Sequence, residues 1–355
     1  MKKRLIIIIA ALGLAVLLLA HNFPKGKGKV YSVTQLDLIP NIANGLNLIP
    51  LTETDMNMLD LAVRIEEEHL EKSGQIITVY DSERGVMELE IEDYLVHVVA
   101  GEMPASFEEE ALKAQAVAAR TFTEKRITGS SKCKSGCDVC TNPGCCQAFA
   151  FTTSLERAWG ENFEKYYEKI VTAVSSTRGE VIVNDGKLIA ALYHSSSGGM
   201  TENSEEVFAV ALPYLVSVVS EGEEKQGGYS SERLIPNDVF IDTVNSAYPE
   251  AELADPAADI DIWGRTESGR VKLVQIGKTV ISSQQFRALF SLHSTNFTFE
   301  FTENAVKITC LGYGHGVGMS QCGANAMAKR GCTYREILMH YYTGVDIASW
   351  EDIKA

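Results

Sequence analysis

Positive charge is what the 355-residue chain most lacks: 32 lysines and arginines stand against 47 aspartates and glutamates, a formal net charge of −15. Such a surface repels polyanions, which argues against nucleic acid and against broad docking on anionic lipid. A neutral, cationic or glycan partner suits it better. Internal repeats and long low-complexity segments are also missing, and 45% hydrophobic with 22% charged residues describes a globular protein. The G-x-x-x-x-G-K-[ST] pattern of a phosphate loop is absent, as is the G-x-S-x-G elbow of a serine hydrolase. No H-E-x-x-H pair is present either, which disfavours a zinc amidase or peptidase. The chain is long enough for one large domain or two smaller ones.

One hydrophobic run stands out. After Met1-Lys2-Lys3-Arg4 come sixteen residues without charge, 5–20, and His21-Asn22-Phe23 extends them to the lower edge of a bilayer span, about 17 residues. Leucine occupies the −3 position before Ala20, where a cleaved signal peptide wants a small residue, so an uncleaved transmembrane helix over 5–23 is expected. The basic flank puts residues 1–4 in the cytoplasm and the bulk outside it. A spacer and a stalk helix at 52–72 fill 24–74, and the main domain begins near Gln75.

From there strand-like and helical stretches mix without a βαβ rhythm, so the fold class expected is α+β, with mostly antiparallel strands around a cleft. Strands are expected from Gln75 and Val86, in a hairpin around Asn184-Asp185-Gly186, in "RVKLVQIG" and in "FTFEFTENAVKITC". Helical patterns lie at 106–126, 162–174, 236–247, 282–289 and 324–342.

The lone carboxylate in "VVAGEMPA" is the most suggestive single residue. Ile91, Tyr94, Leu95, Val98 and Val99 share a helical face, Gly101 reads as its end, and Glu102 follows, where the helix dipole and apolar neighbours disfavour its charge. A carboxyl kept protonated near neutral pH can serve as general acid in glycosidic cleavage. The next helix reads as starting at a Ser106-x-x-Glu109 capping box and is apolar nearly all round, so its Gln115 and Arg120 need partners. "YHSSSGGMT" carries Tyr193, His194, Ser195 and Ser196, and "GYGHGVGMSQCGA" carries His315, Ser320 and Gln321 among five glycines. A hydroxyl- and amide-rich cleft of this kind suits a sugar chain.

Taken together, "GEMPASFEEEALKAQAVAARTF", "DVCTNPGCCQAF", "LYHSSSGGMTENSEEVF", "LPYLVSV" and "GYGHGVGMSQCGANAMAKRG" resemble the stage II sporulation protein D family, from about Gln75 to the C-terminus and in family order. The resemblance implies a membrane-anchored lytic transglycosylase that cleaves between N-acetylmuramic acid and N-acetylglucosamine in peptide-stripped peptidoglycan and leaves anhydromuramic ends. It places the catalytic acid at Glu102, with Arg120, His194, Ser195, His315, Ser320 and Gln321 on the substrate cleft, to which the residues' own setting adds Gln115, Tyr193 and Ser196. It further implies a single-pass protein of the mother-cell membrane facing the septal peptidoglycan, and two partners, the sporulation amidase (stage II protein P) and the membrane protein M. A non-catalytic glycan-binding scaffold that stimulates an amidase is the alternative.

Eight cysteines remain, five of them within "SKCKSGCDVCTNPGCCQ". Outside the cytoplasm they suit either a disulfide framework or tetrahedral zinc. Clostridial relatives imply zinc held by two cysteines six apart, matched here by Cys140 and Cys146. The upstream histidine is replaced by lysine, leaving Cys133 or Cys137 as third ligand, with Cys145 competing. Such a zinc is expected to be structural, ordering its loop, with no cofactor needed for the chemistry.

Overall fold

A computed structural model describes residues 5–10, 15–20, 74–129, 133 and 135–354. The chain divides into two units, residues 1–74 and residues 75–355. In the first, Leu5–Ala10 and Ala15–Ala20 pair as antiparallel strands, with Leu5 opposite Ala20, in place of the single expected helix. Four consecutive β-branched isoleucines in the first strand favour this extended form. Among the described residues no helix is long and apolar enough to cross a membrane. The spacer and the stalk helix expected at 52–72 lie outside the described residues.

The second unit is α+β. Ile76–Asp81 is the centre of a three-stranded sheet, antiparallel to Gly85–Glu90 and parallel to the short Val139–Cys140. The strand pattern expected from Val86 stops at Glu90, whose carboxylate accepts from the N–H groups of Glu92 and Asp93 and starts helix α1, Ile91–Glu102. Helix α2, Glu109–Thr128, is the axis of the unit. It packs against α1, against α3 (Phe163–Ser175), against α4 (Gln321–Lys329), against α5 (Tyr334–Tyr341) and against the strand Glu180–Asn184. Five alanines of α2 are fully buried, and their small side chains let these neighbours close on it from several sides.

The hairpin expected at 184–186 is present, Glu180–Asn184 with Lys187–Leu188, and Asp185 and Gly186 both take positive φ. The pattern at 324–342 resolves into two helices: Gly331 takes a left-handed turn and Thr333 opens α5 through a capping box with Glu336. Ser106 does not cap α2. The helix starts three residues later behind Glu108, whose N–H donates to Asn325 Oδ1 at 2.9 Å, while Glu109 and Glu110 pair with Lys113. Residues 230–311 carry a second core, in which the Phe240, Phe286, Phe290 and Phe297 rings pack under two three-stranded antiparallel sheets.

Arg120, expected on the cleft, lies instead inside the helical layer at 1% exposure. Its guanidinium forks onto Glu92 at 2.8 and 2.6 Å and donates to the carbonyls of Glu180 and Val174, so four of its five N–H groups are bonded to the protein. It joins α1, α2, α3 and the following strand, and its burial keeps it from a ligand in the cleft. Removing one partner of such a pair leaves an uncompensated buried charge, so Arg120→Ala should cost about 3–5 kcal/mol in a urea titration. A loss under about 1 kcal/mol would mean that the pair is not a structural anchor.

Candidate active site

Helix α1 does not stop at Gly101. It runs through Glu102, and Met103 caps it by donating its N–H to Val99. Gly101 has another use: a Cβ there would lie 3.1 Å from the backbone nitrogens of Phe149 and Ala150 and 3.2 Å from the carbonyl carbon of Ala148. Its absence lets residues 148–150 lie against the helix end, fixed by Ala150 N–H to the His97 carbonyl at 3.0 Å. The Ala148 N–H is thereby aimed at Glu102 Oε1, 2.6 Å away.

The other wall comes from the far end of the chain. Tyr193–His194 pairs in parallel with Met319–Ser320, a two-residue ladder that sets where α4 begins. Ser320 caps that helix through the Gly323 N–H, and Gln321, its first residue, donates from Nε2 to Glu102 Oε2 at 3.3 Å and to Gln115 Oε1 at 3.4 Å. Gln115 is fully buried, and its Nε2 finds no acceptor among the described residues. The Tyr193 hydroxyl donates its one hydrogen to Gln147 Oε1 at 2.7 Å. Gln147 in turn donates to Thr123 and to Tyr94.

Half-burial pushes the Glu102 carboxyl above its ordinary range, against the opposing pull of the Ala148 N–H, Gln321 and Tyr193. The helix C-terminus adds to the same upward push. Glu102, Gln115, Tyr193 and Gln321 therefore form one constellation: a protonatable carboxyl flanked by amide and hydroxyl donors.

The remaining expected residues lie outside it. The Ser196 hydroxyl is spent on Glu223 Oε2 at 2.6 Å, and Ser320 is a cap, buried completely. His194 is buried, with Nδ1 at 3.2 Å from the Val317 carbonyl, and its ring lies 5.5 Å from that of His315. Burial drives both rings below the usual histidine range, His315 to about 4, so both are neutral at physiological pH. Ser195 is half-buried and uses its carbonyl to accept the Cys322 N–H.

Glu223 is the residue that sequence reasoning missed. Fully buried, it accepts from the Ser196 and Ser197 hydroxyls, from the Ser197 and Gly198 N–H groups and from Ser220, and so ties down the serine loop. Nothing in "EGEEK" distinguishes it from its neighbours, because all its donors but Ser220 lie in the serine loop, 25 to 27 residues upstream. Gln147 is likewise invisible locally.

The thiols of Cys133, Cys140, Cys145 and Cys146 all lie within 4.8 Å of one another. Cys137 is buried but outside this group, and Cys145 takes part instead, brought in by the turn in which the Cys145 and Cys146 N–H groups donate to the Asn142 carbonyl. The contacts Cys133–Cys145 at 3.7 Å and Cys145–Cys146 at 3.9 Å are far longer than a disulfide of about 2.05 Å. They match the edge of a tetrahedron with metal–sulfur bonds of about 2.3 Å, an edge of about 3.8 Å. Burial and mutual repulsion push the Cys140 thiol up to about 11 and Cys146 higher still. Cys133, despite its own burial, is drawn down to about 6 by Ser135 and the neighbouring thiols.

A family model described as Stage II sporulation protein matches residues 80–184. Stage II sporulation protein D of Bacillus subtilis (strain 168) is 34% identical over 283 residues, 79% of this chain and 81% of that protein, and the Bacillus amyloliquefaciens protein of the same name is 34% identical over 285 residues, with the same shares covered. A Bacillus subtilis protein named amidase enhancer is 30% identical over 303 residues, 71% of this chain and 40% of its own length.

The raised carboxyl of Glu102 has a consequence for stability. A carboxyl whose folded pKa lies above its unfolded value contributes its stability below the unfolded pKa and loses it as pH rises through the folded one. Glu102→Gln should therefore melt above the parent at neutral and mildly alkaline pH, the difference shrinking to nothing below about pH 4. Parallel melting curves across that range would mean that the carboxyl is not held above its ordinary value.

Proposed function

We propose that this chain, which belongs to the stage II sporulation protein D family of sporulation proteins, is a peptidoglycan lytic transglycosylase with Glu102 as its catalytic residue. The observation that carries the reading is a single raised carboxyl set among donors, with no second carboxylate bonded to it among the described residues: its hydrogen-bond partners are the Ala148 N–H and the Gln321 amide. A hydrolase of the usual kind needs a second carboxylate as nucleophile or to activate water. A lytic enzyme does not, because the sugar supplies its own nucleophile.

In this scheme protonated Glu102 gives its proton to the glycosidic oxygen between N-acetylmuramic acid and N-acetylglucosamine as the C1–O bond breaks. The carboxylate so formed removes the proton from the muramic C6 hydroxyl, whose oxygen bonds to C1 and closes the anhydro ring. Atoms balance without water, and Glu102 ends protonated as it began. Gln321 spends both Nε2 hydrogens, one on Glu102 and one on Gln115, and the buried Gln115 Nε2 is the donor beside the carboxyl that no described residue engages. Tyr193 and Gln147 keep the carboxyl's surroundings fixed.

The cysteine quartet fits zinc by distance and by charge, since four clustered thiols cannot all ionise without a cation. Cys133, Cys140, Cys145 and Cys146 would hold it as a closed, structural site. A metal held there would order the loop whose continuation, Gln147 and Ala148, touches Tyr193 and Glu102. The hydrophobic N-terminus behind its basic flank supports attachment to the cell membrane with the second unit outside the cytoplasm. The relative named amidase enhancer supports an amidase as partner, stage II protein P with membrane protein M being the expected ones. The same relative favours the second reading, a glycan-binding scaffold that stimulates an amidase without cleaving.

Glu102→Gln separates the two. It should lower turnover of peptide-free glycan by about 100- to 10,000-fold while glycan still binds. Near-parental turnover in the folded variant removes Glu102 from the chemistry. For the metal, the purified chain should carry about one equivalent of zinc, and cobalt in its place should show thiolate charge-transfer bands. Chelation should lower the melting temperature. A mapped disulfide within the quartet, with no zinc, would show a covalent staple instead.

A further inference from the structure

We propose that a groove beside the C-terminal half of helix α2 is a docking site for an acidic, apolar peptide segment of a partner protein. The groove has a volume of about 610 Å³ and lies between α2, the Lys187–Leu188 strand and the C-terminal turn at Trp350 and Ile353. Phe122, Leu188, Leu192 and Trp350 give it an apolar floor, and Lys125, Arg126 and Lys187 stand around it.

Three observations point to the occupant. No aspartate or glutamate lines the groove among the described residues, although the chain carries a net charge of −15. Three cations stand on the wall with no carboxylate among them, although Asp185, Glu351 and Asp352 adjoin wall residues in sequence, so an acidic ligand meets cations inside the groove. The lining side-chain donors also outnumber the acceptors. The Trp350 indole N–H, on a ring 9% exposed, and the Arg126 Nε–H are buried with no acceptor, and both lie on residues of the groove wall. Lys125 spends one hydrogen on the Leu188 carbonyl and keeps two. A ligand that satisfies these groups brings carboxylates or carbonyl oxygens on an apolar body. Third, the site is a recess of a size for a few side chains, which favours a peptide over a bilayer; lipid headgroups are met by exposed basic faces rather than by an apolar floor.

The Glu102 carboxyl is not on the groove wall, so the peptide and a glycan can be held together. Arg126 also contacts Cys145 Sγ at 3.7 Å, which sets the groove against the thiol quartet. A partner drawn to this groove is therefore carried next to the loop that leads into the candidate active site.

The test is a selection of short random peptides displayed on phage against the full-length chain in detergent, followed by anisotropy titration of the enriched sequences as labelled peptides. The expected result is a consensus with aspartate or glutamate set among leucine, phenylalanine or other apolar residues, bound more weakly as salt rises. Lys187→Glu should weaken it about tenfold, which is about 1.4 kcal/mol. Trp350→Phe, which keeps an aromatic ring but removes the N–H, should weaken it a few-fold, and Lys187→Glu, on an exposed residue, should melt like the parent. Peptides without an acidic, apolar consensus would overturn the proposal, as would affinities that neither substitution changes. Phosphatidylglycerol-containing vesicles, or free cell-wall stem peptides, that bind with the same Lys187 dependence while the selected peptides do not would assign the groove to lipid or wall and overturn it equally.

Discussion

The carboxyl of Glu102 is gripped by parts of the chain that lie far apart in sequence, and the rest of the second unit can be read as what brings them together. Ala148 is 46 residues away and Gln321 is 219. Three devices close these distances. Gly101 lets the strand-like segment after the cysteine loop lie on the end of α1. The Tyr193–His194 and Met319–Ser320 pairing sets the start of α4. The buried Arg120–Glu92 fork holds α1 against α2 so that the helix bearing Glu102 cannot drift from the one bearing Gln115. Losing any of them moves a donor away from a carboxyl whose protonation depends on those donors being few and fixed.

Burial works in two opposite ways within this one unit. At Glu102 it raises the carboxyl and leaves it protonatable, because the compensating donors are weak or single. At Glu223 burial is complete, yet five donors from serines and backbone surround the carboxylate, and it is a structural clasp. A Cβ at Gly323 would collide with Ser220 and Tyr341 of that clasp, so the glycine-rich stretch is used for close packing as much as for ligand approach. The two histidines follow the same logic: desolvation leaves them neutral, and their ring nitrogens serve the backbone around Val317.

Much of this was legible in the sequence where the signal is local. Alternating strands, the Asn184-Asp185-Gly186 turn and the apolar face of α1 all report their neighbours within a few residues. The unusual setting of Glu102 was readable because helix end and apolar residues surround it in sequence. The end of α1 and the start of α2 were not, since Gly101 and Ser106 carry capping signals that tertiary contacts from Phe149, Ala150 and Asn325 override. Arg120 read as a ligand-binding group because its partner lies 28 residues away on another helix. The exchange of Cys137 for Cys145 in the thiol quartet came from a turn at Asn142 that spacing alone does not reveal.

A lone carboxyl with no water-activating partner has one chemical consequence that a scaffold or a hydrolase does not share. The most direct measurement is mass spectrometry of the products formed by the full-length chain from peptide-free glycan strands in oxygen-18 water. The account predicts anhydromuramic ends with no solvent oxygen. Reducing-end muramic acid carrying the label, or intact glycan after incubation with the folded, metal-loaded protein, would contradict it.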